Sequence, residues 1–300
     1  MSEVEDDTNT CASCGIAGVD DVKLKDCDDC DLVKYCSDEC RMDHRPQHEE
    51  ECKKRAAELR DEILFKQPEG THLGDCPICC LPVSNDPSKS ILMGCCSKYI
   101  CKGCDFANTR REVEGRLQQR CPFCRNALPK TEEENNELVM KRIEANDPVA
   151  LCQIGSTKYY EGDYTASFEY FTRAAALGNA EAHYGLSILY GDGKGVEKDE
   201  KKYVHHLEEA AIGGHPGARY NLGSKEERHD RMDRAVKHLI IAAKLGYDTS
   251  LESAKSLYKA GLMSKEDFAA ALRGHKAAID ATKSPQREEA AAFEKLGLGI

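Results

Sequence analysis

A chain of 300 residues with a formal net charge of −11 lacks the basic face that broad electrostatic capture of nucleic acid requires. Hydrophobic residues make up 40% and charged residues 32%, enough for a real core under a well-solvated surface in two or three domains. No apolar run approaches the ~20 residues of a membrane-spanning helix. The opening MSEVEDD lacks the basic and apolar regions of a signal peptide. The expectation is an intracellular protein of cytoplasm or nucleus, without a membrane partner.

Seventeen cysteines then need a purpose. Sixteen precede residue 125 and only Cys152 follows it. Most come as C-x-x-C pairs, which in an intracellular chain read as zinc ligands rather than disulfides.

After an acidic N-terminus (1–10) read as disordered, the first ligand candidates are Cys11, Cys14, Cys27, Cys30, Cys36, Cys40, His48 and Cys52. Eight ligands make two tetrahedral sites. The C-x2-C pairs suit tight knuckles. Cys36/Cys40 and His48/Cys52 are four residues apart, on one face of a helix, so two short helices are expected to carry them. Over 11–52, including the Tyr35-Cys36 dipeptide, the chain resembles the MYND zinc finger. The resemblance implies interleaved sites: Cys11, Cys14, Cys36 and Cys40 on one zinc, Cys27, Cys30, His48 and Cys52 on the other. It also implies docking of a proline-containing peptide. His44 fits the gaps less well than His48 and is read as a surface residue. A module this small folds by binding its metal.

Residues 49–66 read as a helix with Ala56, Leu59, Ile63 and Leu64 at three- and four-residue steps, ended by Pro68, Gly70 and Gly74. The span 53–75 is taken as a helical linker.

CPIC at 76–79 and CPFC at 121–124 frame the stretch GCCSKYICKGC. Over 76–125 the chain resembles a RING domain, which implies a cross-braced α+β module. Cys76, Cys79, Cys101 and Cys104 match the first site. Cys121 and Cys124 match half of the second. The family pattern puts Cys96 at the third ligand position and Lys98 where a histidine stands, and a protonated lysine has no lone pair for zinc. Three arrangements answer this. Cys95 and Cys96 both ligate, with Gly94 easing a sharp turn; or one ligates and Cys80 or His72 completes the site; or the site is empty and filled by side chains. The first is favoured, because a packed core has no use for two adjacent thiols. Cys80 is read as a small buried side chain or spare ligand.

RING domains of ubiquitin ligases contribute no catalytic residue; they position a ubiquitin-charged conjugating enzyme. The resemblance implies contacts with that enzyme at Ile78, Pro122 and Arg125. On this reading Arg125→Ala leaves folding and zinc content unchanged. The chain has no tryptophan, which often lies in the helix between the last two pairs. Here that helix, roughly 105–119, offers Val113 and Leu117.

Beyond Arg125, residues 126–146 read as a linker helix opened by Thr131 and Glu134 in a capping-box pattern. Then YFTRAAALG, HLEEAAIGG and HLIIAAKLG align with each other, as do VALCQIG, EAHYGLS and GARYNLG. They resemble Sel-1-like repeats, relatives of the tetratricopeptide fold. Three units (147–178, 179–214, 215–246) and a divergent fourth make an all-α solenoid over 147–283, with a capping helix or tail at 284–300. Ala175, Ala211 and Ala243 allow close helix approach, and the closing glycines suit left-handed C-caps. Tyr159, Tyr160, Tyr164, Phe168, Tyr170 and Phe171 are read as packing. Cys152 is read as an inert core thiol, and His205, His206 and His238 as no ligand set. Such arrays present a concave protein-binding face.

The sequence therefore predicts a multi-domain protein with about four Zn2+ ions. Two functions compete: a RING-type ubiquitin ligase whose MYND finger and repeats bind substrates, or a non-enzymatic zinc-binding adaptor. A zinc hydrolase would need an open coordination position, and a nucleic-acid-binding finger would need a basic reading helix.

Overall fold

The computed structural model describes residues 9–19 and 22–296; the N-terminal segment 1–8 lies outside them. The chain divides into two compact units, residues 1–66 and 67–300.

In the first unit, strands β1 (Lys25–Asp26) and β2 (Lys34–Tyr35) pair antiparallel and lead into helix α1 (Asp38–Leu64). Ser37 caps α1 by accepting the Cys40 N–H. The two short helices expected here are one: α1 runs unbroken through Pro46 and carries Cys40, His48 and Cys52. Cys36 stands just before the cap. The supposed linker helix is the continuation of α1, whose apolar positions are only partly covered: Leu64 is buried and Ile63 exposed.

The second unit opens with a short 3-10 turn and a β-hairpin. Strands β3 (Ser90–Met93) and β4 (Lys98–Cys101) are in antiparallel register from Ser90↔Cys101 to Met93↔Lys98. Helix α2 (Lys102–Glu114) follows, capped by the Cys101 thiol, which accepts the Cys104 N–H. It ends at Gly115, earlier than the sequence suggests, and leaves Val113 and Leu117 exposed. Helix α3 (Glu132–Glu144) is capped by Thr131, with the Lys130 N–H returning to Glu134.

The helix pairs then stack: α4 (Pro148–Glu161) with α5 (Tyr164–Ala176), α6 (Ala180–Asp192) with α7 (Glu200–Ile212), α8 (Pro216–Arg228) with α9 (Met232–Lys244), and α10 (Asp248–Lys259) with α11 (Lys265–Ala281). The repeat supplies its own grammar. Asp147, Asn179 and His215 are side-chain N-caps at corresponding positions. Ala175, Ala211 and Ala243 are buried where second helices press on their neighbours, and Gly178, Gly214 and Gly246 close those pairs at positive φ. Phe171 lies against Gly155 and Gly185; a Cβ at either glycine would come within 2.8 or 2.6 Å of its ring. Five of the six stripe aromatics pack on this core, but Tyr160 stands out in solvent, 87% exposed. Cys152 is buried, and burial pushes its thiol pKa up.

The last helix, α12 (Pro285–Lys295), does not cap the array. It lies on α2, with Phe293 tilted against Phe106 at 5.1 Å and Lys102 paired to Glu294 at 2.8 Å. Arg287 donates to the carbonyls of Leu81 and Pro82 and sits 3.3 Å from Cys79 Sγ. On the other side, Asn85 donates to the Leu245 carbonyl and the His72 N–H to that of Gly214. The cysteine-rich module is thus built into the face of the repeats rather than strung before it.

Candidate metal centres

Four clusters each gather four ligand atoms within 4.8 Å of one another. In the first unit they are Cys11, Cys14, Cys36, Cys40 and Cys27, Cys30, His48, Cys52. In the second they are Cys76, Cys79, Cys101, Cys104 and Cys95, Cys96, Cys121, Cys124. Both units therefore use one scheme. Of four ligand pairs in chain order, the first and third share a cluster, and the second and fourth share another.

The local geometry has a common cause. In four of the five C-x2-C pairs, the residue after the second cysteine turns left-handed: Gly15, Asp31, Cys80 and Arg125 have φ of 75°, 55°, 54° and 64°, whereas Cys101 and Cys104 lie at the start of α2. The N–H of the left-handed residue bonds back to the carbonyl of the first cysteine, as in Cys80 to Cys76 at 2.8 Å and Arg125 to Cys121 at 3.0 Å. That turn aims both thiols to one side. It also explains Cys80, which is an exposed knuckle-closing residue and neither buried filler nor a ligand.

The adjacent pair in GCCSKYICKGC is resolved by the hairpin. Residues 94–97 form its turn, and both thiols point the same way: Cys95 Sγ lies 3.3 Å from Cys124 Sγ, and Cys96 Sγ 3.9 Å from Cys121 Sγ. The left-handed residue of this turn is Ser97, φ 55°. Gly94 serves another end, since a Cβ there would meet Asn135 Oδ1 of α3 at 2.6 Å. Neither Cys80 nor His72 joins the cluster. Lys98 is exposed and takes no part.

The donor sets fit zinc. A tetrahedron with Zn–S bonds of ~2.3 Å has S···S edges of about 3.8 Å. The spacings here, from 3.3 Å (Cys95–Cys124) and 3.5 Å (Cys14–Cys36) to 3.9 Å (Cys96–Cys121), bracket that value. His48 Nε2 approaches Cys30 Sγ to 3.0 Å. His44 is half-buried rather than on the surface; its Nδ1 meets the Tyr35 hydroxyl at 3.1 Å. Charge makes the same demand. The Cys101 thiol draws Cys76 down to about 4, and in return Cys101 is driven up, while burial pushes Cys96 up to about 11. Four crowded thiols cannot all ionise without a cation among them. With four protein ligands per cluster there is no open position, so such zinc staples the fold rather than catalyses.

Of the expected conjugating-enzyme contacts, Ile78 is 42% exposed in the first knuckle and Pro122 half-buried in the last. Arg125 is already engaged. Its guanidinium donates to Asn108 Oδ1 at 2.9 Å and to the buried Glu112 at 3.0 Å. That contact argues against the expectation that its removal leaves folding unchanged. His205, His206 and His238 form no ligand set among the described residues. Also among the described residues, no helix is long and apolar enough to cross a membrane.

The MYND finger family model matches residues 11–52, and the Sel1 repeat model matches 149–179, 180–215 and 217–247. The mouse protein DAP3-binding cell death enhancer 1 is 26% identical over 175 residues, 45% of this chain and 34% of that protein. The Helicobacter pylori putative beta-lactamase HcpC is 39% identical over 56 residues, 19% of each chain. Two solved structures are similar. A Sel1 repeat protein from Oxalobacter formigenes has 27% identity and a TM-score of 0.44 over 51% of this chain and 66% of its own. A protective antigen of uropathogenic Escherichia coli strains displaying an SLR fold has 22% identity and a TM-score of 0.41 over 56% and 37%. The chain spans about a third of the mouse relative and a fifth of the bacterial one. MYND fingers and Sel1 repeats are protein-interaction modules. This chain carries a zinc-binding MYND finger at 11–52 and three Sel1 repeats at 149–247, with two further cysteine clusters suited to zinc between them in sequence.

Proposed function

We propose that this chain is a RING-type ubiquitin ligase. Its second zinc module docks a ubiquitin-charged conjugating enzyme, and its MYND finger and repeats engage the protein to be modified. The sixteen residues of the four clusters are the zinc ligands in this reading. The observation that carries it is the interleaved thiol pairing of 76–124 with Ile78 exposed in the first knuckle and Pro122 half-buried in the last. The chain contributes no nucleophile. Its work is to hold the thioester where an acceptor amine can reach it, and positioning of that kind lowers a barrier substantially.

One observation favours the second reading, a non-enzymatic adaptor. Arg125, which would bridge enzyme and ubiquitin, is bound to Glu112 and Asn108, and α12 lies on α2. The test is single-turnover discharge of a panel of ubiquitin-charged conjugating enzymes by zinc-loaded protein. Ile78→Ala is the control, because Ile78 is exposed and its loss spares the core. Discharge that the variant loses supports the ligase. No discharge across the panel, with zinc bound, leaves the adaptor.

A further inference from the structure

Within the second unit, a cleft of about 800 Å3 opens between the β3–β4 hairpin and the N-terminal ends of α4, α6 and α8. Its size is that of small-ligand sites. At its centre Glu181, from the first turn of α6, receives two imidazoles on one oxygen. His72 Nε2 is 2.9 Å and His215 Nε2 3.1 Å from Oε2. The two rings stack with centroids 4.5 Å apart, and Tyr184 stacks on His215 at 4.2 Å.

Two imidazoles and a carboxylate can surround a metal, but here the tautomer speaks against it. His215 is the N-cap of α8, and its Nδ1 accepts the Ala218 N–H at 3.0 Å. The ring proton is therefore on Nε2, where it donates to Glu181. A metal at Nε2 would force a proton onto Nδ1, against the Ala218 N–H.

What remains is a carboxylate kept as an anion. Burial pushes its pKa up, but the His215 and His72 imidazoles more than reverse that and hold it well below the usual carboxylate range. Among the described residues lining the cleft there is no lysine, arginine or aspartate. Two buried atoms on lining residues have no partner, His72 Nδ1 and Asn85 Oδ1. With Nε2 of His72 donating to Glu181, both orphans are acceptors. The cleft thus offers negative charge with the exposed Tyr160 ring among its lining, while the two orphan acceptors are themselves closed to solvent and one face of Tyr184 is taken by His215.

We infer that this cleft binds an arginine side chain presented by a partner peptide, with Glu181 as its counter-charge. Arginine suits the site because a planar guanidinium carries five N–H donors and stacks on aromatic rings. An adaptor would use such a site as readily as a ligase, so the inference stands apart from the ligase reading.

The test uses the full zinc-loaded chain with selectively labelled histidines. The probes are the capped tripeptide Gly-Arg-Gly and its lysine and citrulline counterparts, followed by the imidazole signals of His72 and His215. The arginine peptide is expected to titrate both signals to saturation. Citrulline, which keeps the shape without the charge, should bind at least about tenfold more weakly, a difference of ~1.4 kcal/mol. Glu181→Gln should remove the preference for arginine. Tyr160→Ala, an exposed change outside the histidine–carboxylate cluster, should weaken arginine binding while leaving the melting curve unchanged. Equal titration by arginine and citrulline overturns the inference, as does no saturation by about 10 mM. A lysine preference makes the site a general ammonium site and overturns the arginine assignment. A zinc ion beyond those on the cysteine clusters, lost in Glu181→Gln, makes it a metal site and overturns it too.

Discussion

Arg125 Nη2 donates to Glu112 Oε1 across 3.0 Å, and Glu112 has no exposed surface. The other carboxylate oxygen takes the Arg120 N–H at 3.0 Å and Asn108 Nδ2 at 3.1 Å. The last knuckle is thereby tied to α2 through a buried anion. Burial pushes the Glu112 pKa up, but the Arg120 N–H and the Arg125 charge bring the net below its ordinary value.

Arg125→Ala removes the nearer of two cations on Glu112, leaving Arg111 at 3.5 Å, so we expect destabilisation. Breaking a fully buried pair costs roughly 3–5 kcal/mol. Arg125 is half exposed and Glu112 keeps two other donors, so about 1–3 kcal/mol is expected, read from urea midpoints. Arg125→Lys should recover part of it. A midpoint unchanged in Arg125→Ala would mean that the guanidinium is free to serve a partner.

Native mass spectrometry should find four zinc ions, and Cys95→Ser and Cys96→Ser should each lose one. Cys80→Ser should lose none, because Cys80 closes a knuckle from outside the cluster. Three ions in the parent chain would show that the adjacent thiols do not complete a site.

Gly103 decides whether α12 can lie on α2. A Cβ there would stand 2.9 Å from the backbone N and Cα of Arg287, atoms that cannot step aside. Gly103→Ala should raise hydrogen exchange across 285–295 to that of a detached helix, with zinc content unchanged. Protection equal to the parent would refute the packing.

Asp147 caps α4 through the Val149 and Ala150 N–H groups and pairs with Arg142. Burial raises its pKa, but the Ala150 N–H and Arg142 outweigh that, and the net is lowered. Asp147→Ala should cost about 1 kcal/mol as a lost cap. Asp147→Asn keeps a cap and loses only the charge, about 1 kcal/mol for a pair whose arginine side chain is 37% and whose aspartate side chain is 11% exposed. A depressed carboxyl stabilises above its unfolded pKa, near 3.9, and that stabilisation is lost as pH falls through the native value. The gap between Asp147→Asn and the parent should therefore be full at pH 7 and close on acidification. A gap that widens in acid would contradict the sign.

The metal clusters and the repeats were legible because each is written locally. Knuckle pairs and i, i+4 ligands declare themselves by spacing, and the caps and closing glycines at Asp147, Asn179, Gly178 and Gly214 recur with the repeat. Even the adjacent Cys95 and Cys96 could be paired with Cys121 and Cys124 by counting ligands. Other features depended on what the chain meets after folding. Nothing near Arg125 in sequence names Glu112 as its partner, because the pair forms only when the last knuckle returns to α2. His72, Glu181 and His215 are separated by 109 and 34 residues, and only the packing of the hairpin on the repeats sets both imidazoles on one oxygen of Glu181. Local hydrogen bonding and ligand spacing determine the modules; which surfaces those modules bury against one another, and so which charges they share, is decided by tertiary packing.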